Sequence, residues 1–166
     1  MKILYLHGWN SACGGVKPSY LAEQGHQIIE PELPDDDFDE GLRIAQADFA
    51  RVGPDLVFGS SRGGALAINL DSGDVPLVLL CPAWRRWGIA STVKAGTQIL
   101  HSREDEVIPL VDTLELLRNS GLDEQGLIVT GADHRLCDPA SLAQMNAAVL
   151  RTAIQTVFFQ GNDSAE

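Results

Sequence analysis

The sequence predicts an α/β domain: a mainly parallel sheet of about six strands with helices on both faces. Three observations carry this. Short aliphatic and β-branched runs alternate with helical apolar stripes along the chain, the pattern of successive βαβ units. The 166 residues suit one domain, and a chain of that length buries roughly 70% of the surface it exposes when unfolded. A glycine-flanked turn, Gly59-Ser60-Ser61-Arg62-Gly63, joins an apolar strand-like stretch to a small-residue helix start, as when a parallel strand passes into its crossover helix.

In chain order, Ile3-Leu4-Tyr5-Leu6 places a first strand at 2–6, and a helix over 17–24 closes at Gly25. A second strand at 27–30 precedes an amphipathic helix whose stripe is Phe38, Leu42, Ala45, Phe49 and Val52, with Asp39 as N-cap and Gly53-Pro54 as its stop. Asp55-Leu56-Val57-Phe58 is the third strand, and the helix opening at Gly64-Ala65-Leu66-Ala67 closes near Gly73. Strands at 76–81 and 97–101 follow, then a helix with Leu110, Leu114 and Leu117 on one face that ends near Gly121. After a last strand at 126–130, Asp138-Pro139 opens a longer helix marked by Leu142, Met145, Val149, Ala153 and Val157. These stripes are core faces. One domain, 1–160, is expected, with a small, polar, disordered tail at 161–166.

Composition narrows the partners. A formal net charge of −11 is the wrong sign for a general nucleic-acid binder or for an anionic membrane surface, so a small-molecule partner is expected. Cys13, Cys81 and Cys137 are odd in number and lack C-x-x-C spacing, which suggests neither a disulfide framework nor a zinc site. No cofactor and no metal are indicated, and oligomeric state is left open. The apolar run after Met1-Lys2 is too short for a signal peptide or a membrane span, which points to the cytoplasm.

In open α/β sheets ligands sit beyond the carboxyl ends of the strands, so the loops there carry the candidate chemistry. Ser61, centred in the G-x-S-x-G turn, is the candidate nucleophile, and the next amide, that of Arg62, lies at a helix N-terminus where it can donate to an oxyanion. His7-Gly8-Trp9-Asn10-Ser11 follows the first strand, and its Trp9 amide is the candidate second donor. Asp105 follows the fifth strand and His134 the sixth, as candidate orienting acid and base. Asp133 competes with Asp105, though adjacent side chains seldom face one another, and Glu104 and Glu106 are weaker alternatives. His7 reads as a brace for the Trp9 turn, His26 and His101 receive no role, and Cys13 reads as packing or rim. The acidic run Asp35-Asp36-Asp37, with Asp39 and Glu40, resembles a cation site but better suits a helix start, where carboxylates cap amides and complement the dipole. Trp84-Arg85-Arg86-Trp87 is read either as a solvated turn or as a substrate-binding wall, with a tryptophan over an apolar chain and an arginine toward an anionic group.

Taken with its neighbours, this set resembles a minimal α/β-hydrolase, similar to the small cap-less esterases of the YqiA/YcfP type. The resemblance runs from Leu4 to about Val157 and rests on L-H-G-W-N-S near the start, P-E-L-P at 31–34, G-S-S-R-G-G at 59–64, C-P-A-W-R at 81–85, D-E-V-I-P at 105–109 and D-H-R at 133–135. It implies a Ser61–His134–Asp105 triad, in the Ser…Asp…His chain order of that superfamily. The stretch from Pro82 to Ala95 has room for a crossover but not for a lid domain. The expected activity is serine-dependent hydrolysis of small acyl esters, with thioesters as a further option. The rival expectation is a non-catalytic module of the same fold that holds an acyl ligand or a protein partner.

Overall fold

The computed structural model describes residues 1–162, with side chains through residue 153. Six parallel strands form one sheet: β1 (Lys2–Leu6), β2 (Gln27–Ile29), β3 (Leu56–Ser60), β4 (Leu77–Leu80), β5 (Gln98–His101) and β6 (Leu127–Val129), in spatial order β2-β1-β3-β4-β5-β6. Five α-helices connect or flank them: α1 (Val16–Glu23), α2 (Phe38–Val52), α3 (Arg62–Asn69), α4 (Leu110–Asn119) and α5 (Pro139–Asn162).

Side chains alternate across the pleat, and the two faces build two cores. Leu4, Leu6, Val57, Leu77, Leu79 and Ile99 point toward Ala45 of α2, Leu66 and Ala67 of α3, and Leu116 and Leu117 of α4. Ile3, Tyr5, Leu56, Phe58, Val78, Leu80 and Leu100 point toward Leu21 of α1 and Met145, Ala148 and Val149 of α5. Both faces are therefore covered, which is why the strands read as continuous apolar runs.

The element boundaries have local causes. Asp37, not Asp39, caps α2: its side chain accepts from the Glu40 amide at 2.9 Å, which leaves Asp39 and Glu40 in the first turn where carboxylates complement the dipole. Gly53 ends that helix in the left-handed region at φ 54°, its amide returning to the Phe49 carbonyl. Asp138 accepts from the Ser141 amide at 3.0 Å ahead of Pro139. Strand β3 runs two residues beyond its expected end, to Ser60, because Ser60 stays in register with Leu80 of β4. The side chain of Val157 and most of the tail expected at 161–166 lie outside the described residues.

From β1 the chain steps outward to β2, then returns across β1 to β3 and continues the other way. The sheet thus reverses its order between β1 and β3, and a crevice opens at the carboxyl ends of those two strands. Residues His7–Asn10 leave β1 there, and Ser61 leaves β3.

Candidate active site

Ser61 sits on a strained bend. Its backbone is at φ 55°, ψ −114°, a conformation that costs a non-glycine residue about 1–3 kcal/mol and is held only by its surroundings. Those surroundings are hydrogen bonds: the Ser61 amide donates to the Leu80 carbonyl at 2.8 Å, and its carbonyl accepts from the amides of Gly64, Ala65 and Ala83. The glycines are sterically required, because a Cβ at Gly63 would overlap the Leu6 carbonyl and one at Gly59 would strike the backbone of Gly63 and Gly64. A Cβ at Gly64 would stand 2.9 Å from Pro82 Cα. The bend thus lifts Ser61 above the sheet while α3 packs tightly beneath it.

Three loops bring three side chains together. His134 Nε2 lies 3.0 Å from Ser61 Oγ, and His134 Nδ1 lies 2.7 Å from Asp105 Oδ2. An ionised carboxylate only accepts, so Nδ1 carries the proton and Nε2 presents its lone pair to the Ser61 hydroxyl. Asp105 is fixed in turn: its Oδ1 accepts from the amides of Val107 at 2.8 Å and Ile108 at 2.7 Å. Asp133 does different work, accepting from the amides of Arg135 and Leu136 and so shaping the turn that carries His134. Glu104 and Glu106 face solvent. The Ser102 hydroxyl ties the two loops by donating to the Gly131 carbonyl at 3.0 Å.

Two residues behind Asp105 had no functional signal in the sequence. His101, the last residue of β5, is wholly buried, with Nε2 2.9 Å from the Ile108 carbonyl and 3.3 Å from Asp105 Oδ2. Both neighbours are acceptors, so Nε2 is protonated, and Nδ1 accepts from the Thr113 hydroxyl at 2.8 Å. Two imidazoles therefore share one carboxylate oxygen. Cys81, buried at the end of β4 with φ 42°, turns its thiol to the same carboxylate. Burial pushes Asp105 up, but the bonds from His134, the Ile108 amide, the Cys81 thiol and the Val107 amide outweigh it and hold the carboxyl below its usual range. Burial pulls His101 down, keeping it neutral.

The Cys81, Asp105 and His134 ligand atoms lie within 4.8 Å of one another, the one group of this kind among the described residues. It suits a metal poorly. Burial pushes the Cys81 thiol far above its ordinary range, and a cation would have to displace the proton that His134 shares with Asp105. Asp35, Asp36 and Asp37 divide their work differently from a cation site, Asp37 capping α2 and Asp35 accepting from the Asn10 amide.

On the other side of Ser61, the Arg62 amide is the first of α3 and has no helical acceptor four residues back. The Trp9 turn approaches closely: a Cβ at Gly8 would stand 3.4 Å from Ser61 Cβ. The Trp9 side chain itself points outward, 59% exposed. His7 is buried and hydrogen-bonds the Gly8 carbonyl through Nδ1 at 2.9 Å, bracing that turn. A cavity of about 360 Å³ opens beside Ser61 and His134, with Tyr5, Lys17, Glu30 and Ser60 among its polar walls and Val16 and Pro18 among its apolar ones.

The expected substrate wall at 84–87 is not brought to that cavity; each of its side chains has partners elsewhere. The Trp84 indole is buried and donates to the Asp112 carbonyl at 3.0 Å. Arg85 lies over the Trp84 ring and pairs with Asp112 and Glu115 of α4. Arg86 donates to the Val107 carbonyl, and Trp87 stacks on Phe38. The tryptophans were drawn to the α2 and α4 side of the sheet, the outcome sequence patterning could not separate from a wall.

No protein-family model matches this chain, and no curated protein sequence does. Solved structures do. The chain is similar to alpha/beta hydrolase domain-containing protein 10 from mouse (TM-score 0.76, 14% identity, covering 93% of this chain and 90% of that one). It is similar to Est1E from Butyrivibrio proteoclasticus (TM-score 0.67, 15% identity, 92% and 88% covered). It is also similar to the esterase domain of a Rhodothermus marinus protein (TM-score 0.64, 15% identity, 92% and 86% covered). With a six-stranded parallel sheet, helices on both faces and only residues 81–97 between β4 and β5, this chain has the α/β-hydrolase fold in a form without a cap domain.

Proposed function

We propose that this protein is a serine hydrolase that cleaves small acyl esters through an acyl-enzyme. The observation that carries the reading is the unbroken hydrogen-bond chain from Ser61 Oγ through His134 to Asp105, starting on a strained bend that exposes the hydroxyl. In the first half-reaction His134 Nε2 takes the hydroxyl proton as Ser61 Oγ bonds to the acyl carbon. The carbonyl oxygen gains the negative charge and is received by the amides of Trp9 and Arg62. His134 then gives its proton to the departing alcohol oxygen as the ester C–O bond breaks. Water repeats the sequence on the acyl-enzyme and restores Ser61. Each pre-aligned amide donor is worth about 3–4 kcal/mol of barrier.

The cavity favours small substrates. Its walls mix the polar groups of Lys17, Glu30, Tyr5 and Ser60 with apolar ones from Trp9, Ala12, Val16 and Pro18, and at about 360 Å³ with no cap over it the cavity suits short esters better than long acyl chains. Thioesters use the same groups. Among the described residues no helix is long and apolar enough to cross a membrane. A short p-nitrophenyl ester is the first test substrate. Ser61→Ala should lower kcat by about 10⁴–10⁶ with the fold retained, whereas Ser60→Ala should do far less. Loss of activity in the Ser60 variant alone would move the nucleophile and break the reading.

A further inference from the structure

The Arg62 amide is offered to an oxyanion, but its side chain runs the other way, into the protein. It is wholly buried, which for a guanidinium demands compensation. Nη2 donates to the carbonyls of Pro34 at 2.7 Å and Asp37 at 3.1 Å, while Nε and Nη1 have no hydrogen-bond partner. The cation lies 5.6 Å from the Phe38 ring centre and 5.2 Å from that of Trp87, beside that stacked pair. Burial works against its charge, and the nearby carboxylates of Asp35, Asp37 and Asp36 work for it. The acidic run is thus the counter-charge of a buried arginine, spread over the segment the arginine holds.

The same segment reaches the opposite side of the site. Asp35 Oδ1 accepts from the Asn10 amide at 2.9 Å, across 25 residues of sequence. Asn10 is in the left-handed region, φ 52°, and follows Trp9 directly in the turn. Segment 34–37 therefore grips the side chain of one oxyanion donor and the residue next to the other.

We propose that Asp35 is a positioning residue for the oxyanion hole: by holding the Asn10 amide it keeps the Trp9 N–H in register with the Arg62 N–H, and the buried Arg62 side chain anchors the segment from which it acts. The proposal rests on the reading that these two amides receive the oxyanion. A bond to the backbone of the Trp9 turn restricts where that amide points, and a 1 Å misplacement of a catalytic group is enough to slow a reaction by about 100-fold. Asp35 does not touch the reacting atoms, so its effect belongs to the transition state and not to substrate affinity.

The test compares Asp35→Ala with Asp35→Asn on the intact protein, using p-nitrophenyl acetate and a trifluoromethyl ketone that forms a tetrahedral adduct with the serine. In Asp35→Ala, kcat should fall by about 10- to 100-fold with KM little changed, and the inhibition constant of the ketone should rise in parallel. Asp35→Asn retains an acceptor oxygen for the Asn10 amide and should recover most of the loss, with thermal melts showing both variants folded. Wild-type kcat in Asp35→Ala, equal losses in the two variants, or a loss confined to KM would each overturn the proposal. A wild-type protein that neither hydrolyses the ester nor binds the ketone would overturn the hydrolase reading first, and the proposal with it.

Discussion

Replacing Asp105 by asparagine should disable the site through proton placement alone, because the structure dictates how the new side chain must lie. Two backbone amides, those of Val107 and Ile108, point at Oδ1, so the carboxamide oxygen has to occupy that position. The NH₂ then takes the place of Oδ2 and faces His134 Nδ1, which in the wild type is 2.7 Å away and protonated. To avoid two opposed donors, His134 must move its proton to Nε2, where it points at Ser61 Oγ and can no longer accept. Loss of the correct tautomer lowers kcat by about 10⁴, or about 5.5 kcal/mol at 1.36 kcal/mol per decade. The same NH₂ also faces the Nε2–H of buried His101, formerly 3.3 Å from Oδ2. That mismatch should destabilise the fold by about 1–3 kcal/mol, a fall in Tm of roughly 2–10 °C. Steady-state kinetics on p-nitrophenyl acetate beside a thermal melt read both quantities. Asp133→Asn, which disturbs only the turn preceding Arg135, should lose far less activity. Activity of Asp105→Asn within tenfold of wild type, or a larger loss in Asp133→Asn, would refute the assignment of the acid.

Two further outcomes follow. His101 and Asp105 both have depressed values in the folded protein, so each stabilises the fold above its unfolded value and loses that contribution as pH falls through its folded one. Tm should therefore begin to drop as pH falls through the ordinary histidine range, where the unfolded imidazole takes up a proton that buried His101 resists, and again below the ordinary carboxylate range, where unfolded Asp105 protonates before the folded one; a flat Tm from about pH 7 to 5 would contradict the His101 part. The double variant Arg85→Ala, Arg86→Ala removes contacts to α4 and the Val107 carbonyl at the surface, so losses should be within a few-fold and equal on a neutral and a carboxylate-bearing ester of the same acyl length. A loss selective for the charged ester would return these arginines to the substrate site.

Much of this architecture is written locally. Fully covered strands need unbroken apolar runs, and every strand lay within two residues of its expected limits because Gly, Pro and Asp punctuate those runs. The Ser61 bend is legible for a similar reason: two glycines at fixed offsets answer to collisions with Leu6 and Gly63 that no other residue avoids. What stayed hidden depends on partners far along the chain. Three consecutive aspartates look alike until α2 shows that Asp37 reaches the Glu40 amide. His101 carries no motif; only the return of residues 105–108 over the end of β5 sets it against Asp105. The inward course of the Arg62 side chain is equally invisible, since it is decided by the Pro34 and Asp37 carbonyls. Trp84 and Trp87 had two apolar places to go, and contacts with Asp112 and Phe38 chose between them.

Covalent labelling asks directly whether Ser61 is an activated nucleophile. A fluorophosphonate reacts with a serine whose hydroxyl proton is taken by a neighbouring base, and the adduct can be located by peptide mapping. One adduct is expected, on Ser61, formed on the folded wild-type protein and abolished in Ser61→Ala and, through loss of the base, greatly slowed in His134→Ala. Folded wild-type protein that stays unlabelled, or an adduct on Ser60 in place of Ser61, would contradict the assignment of the nucleophile.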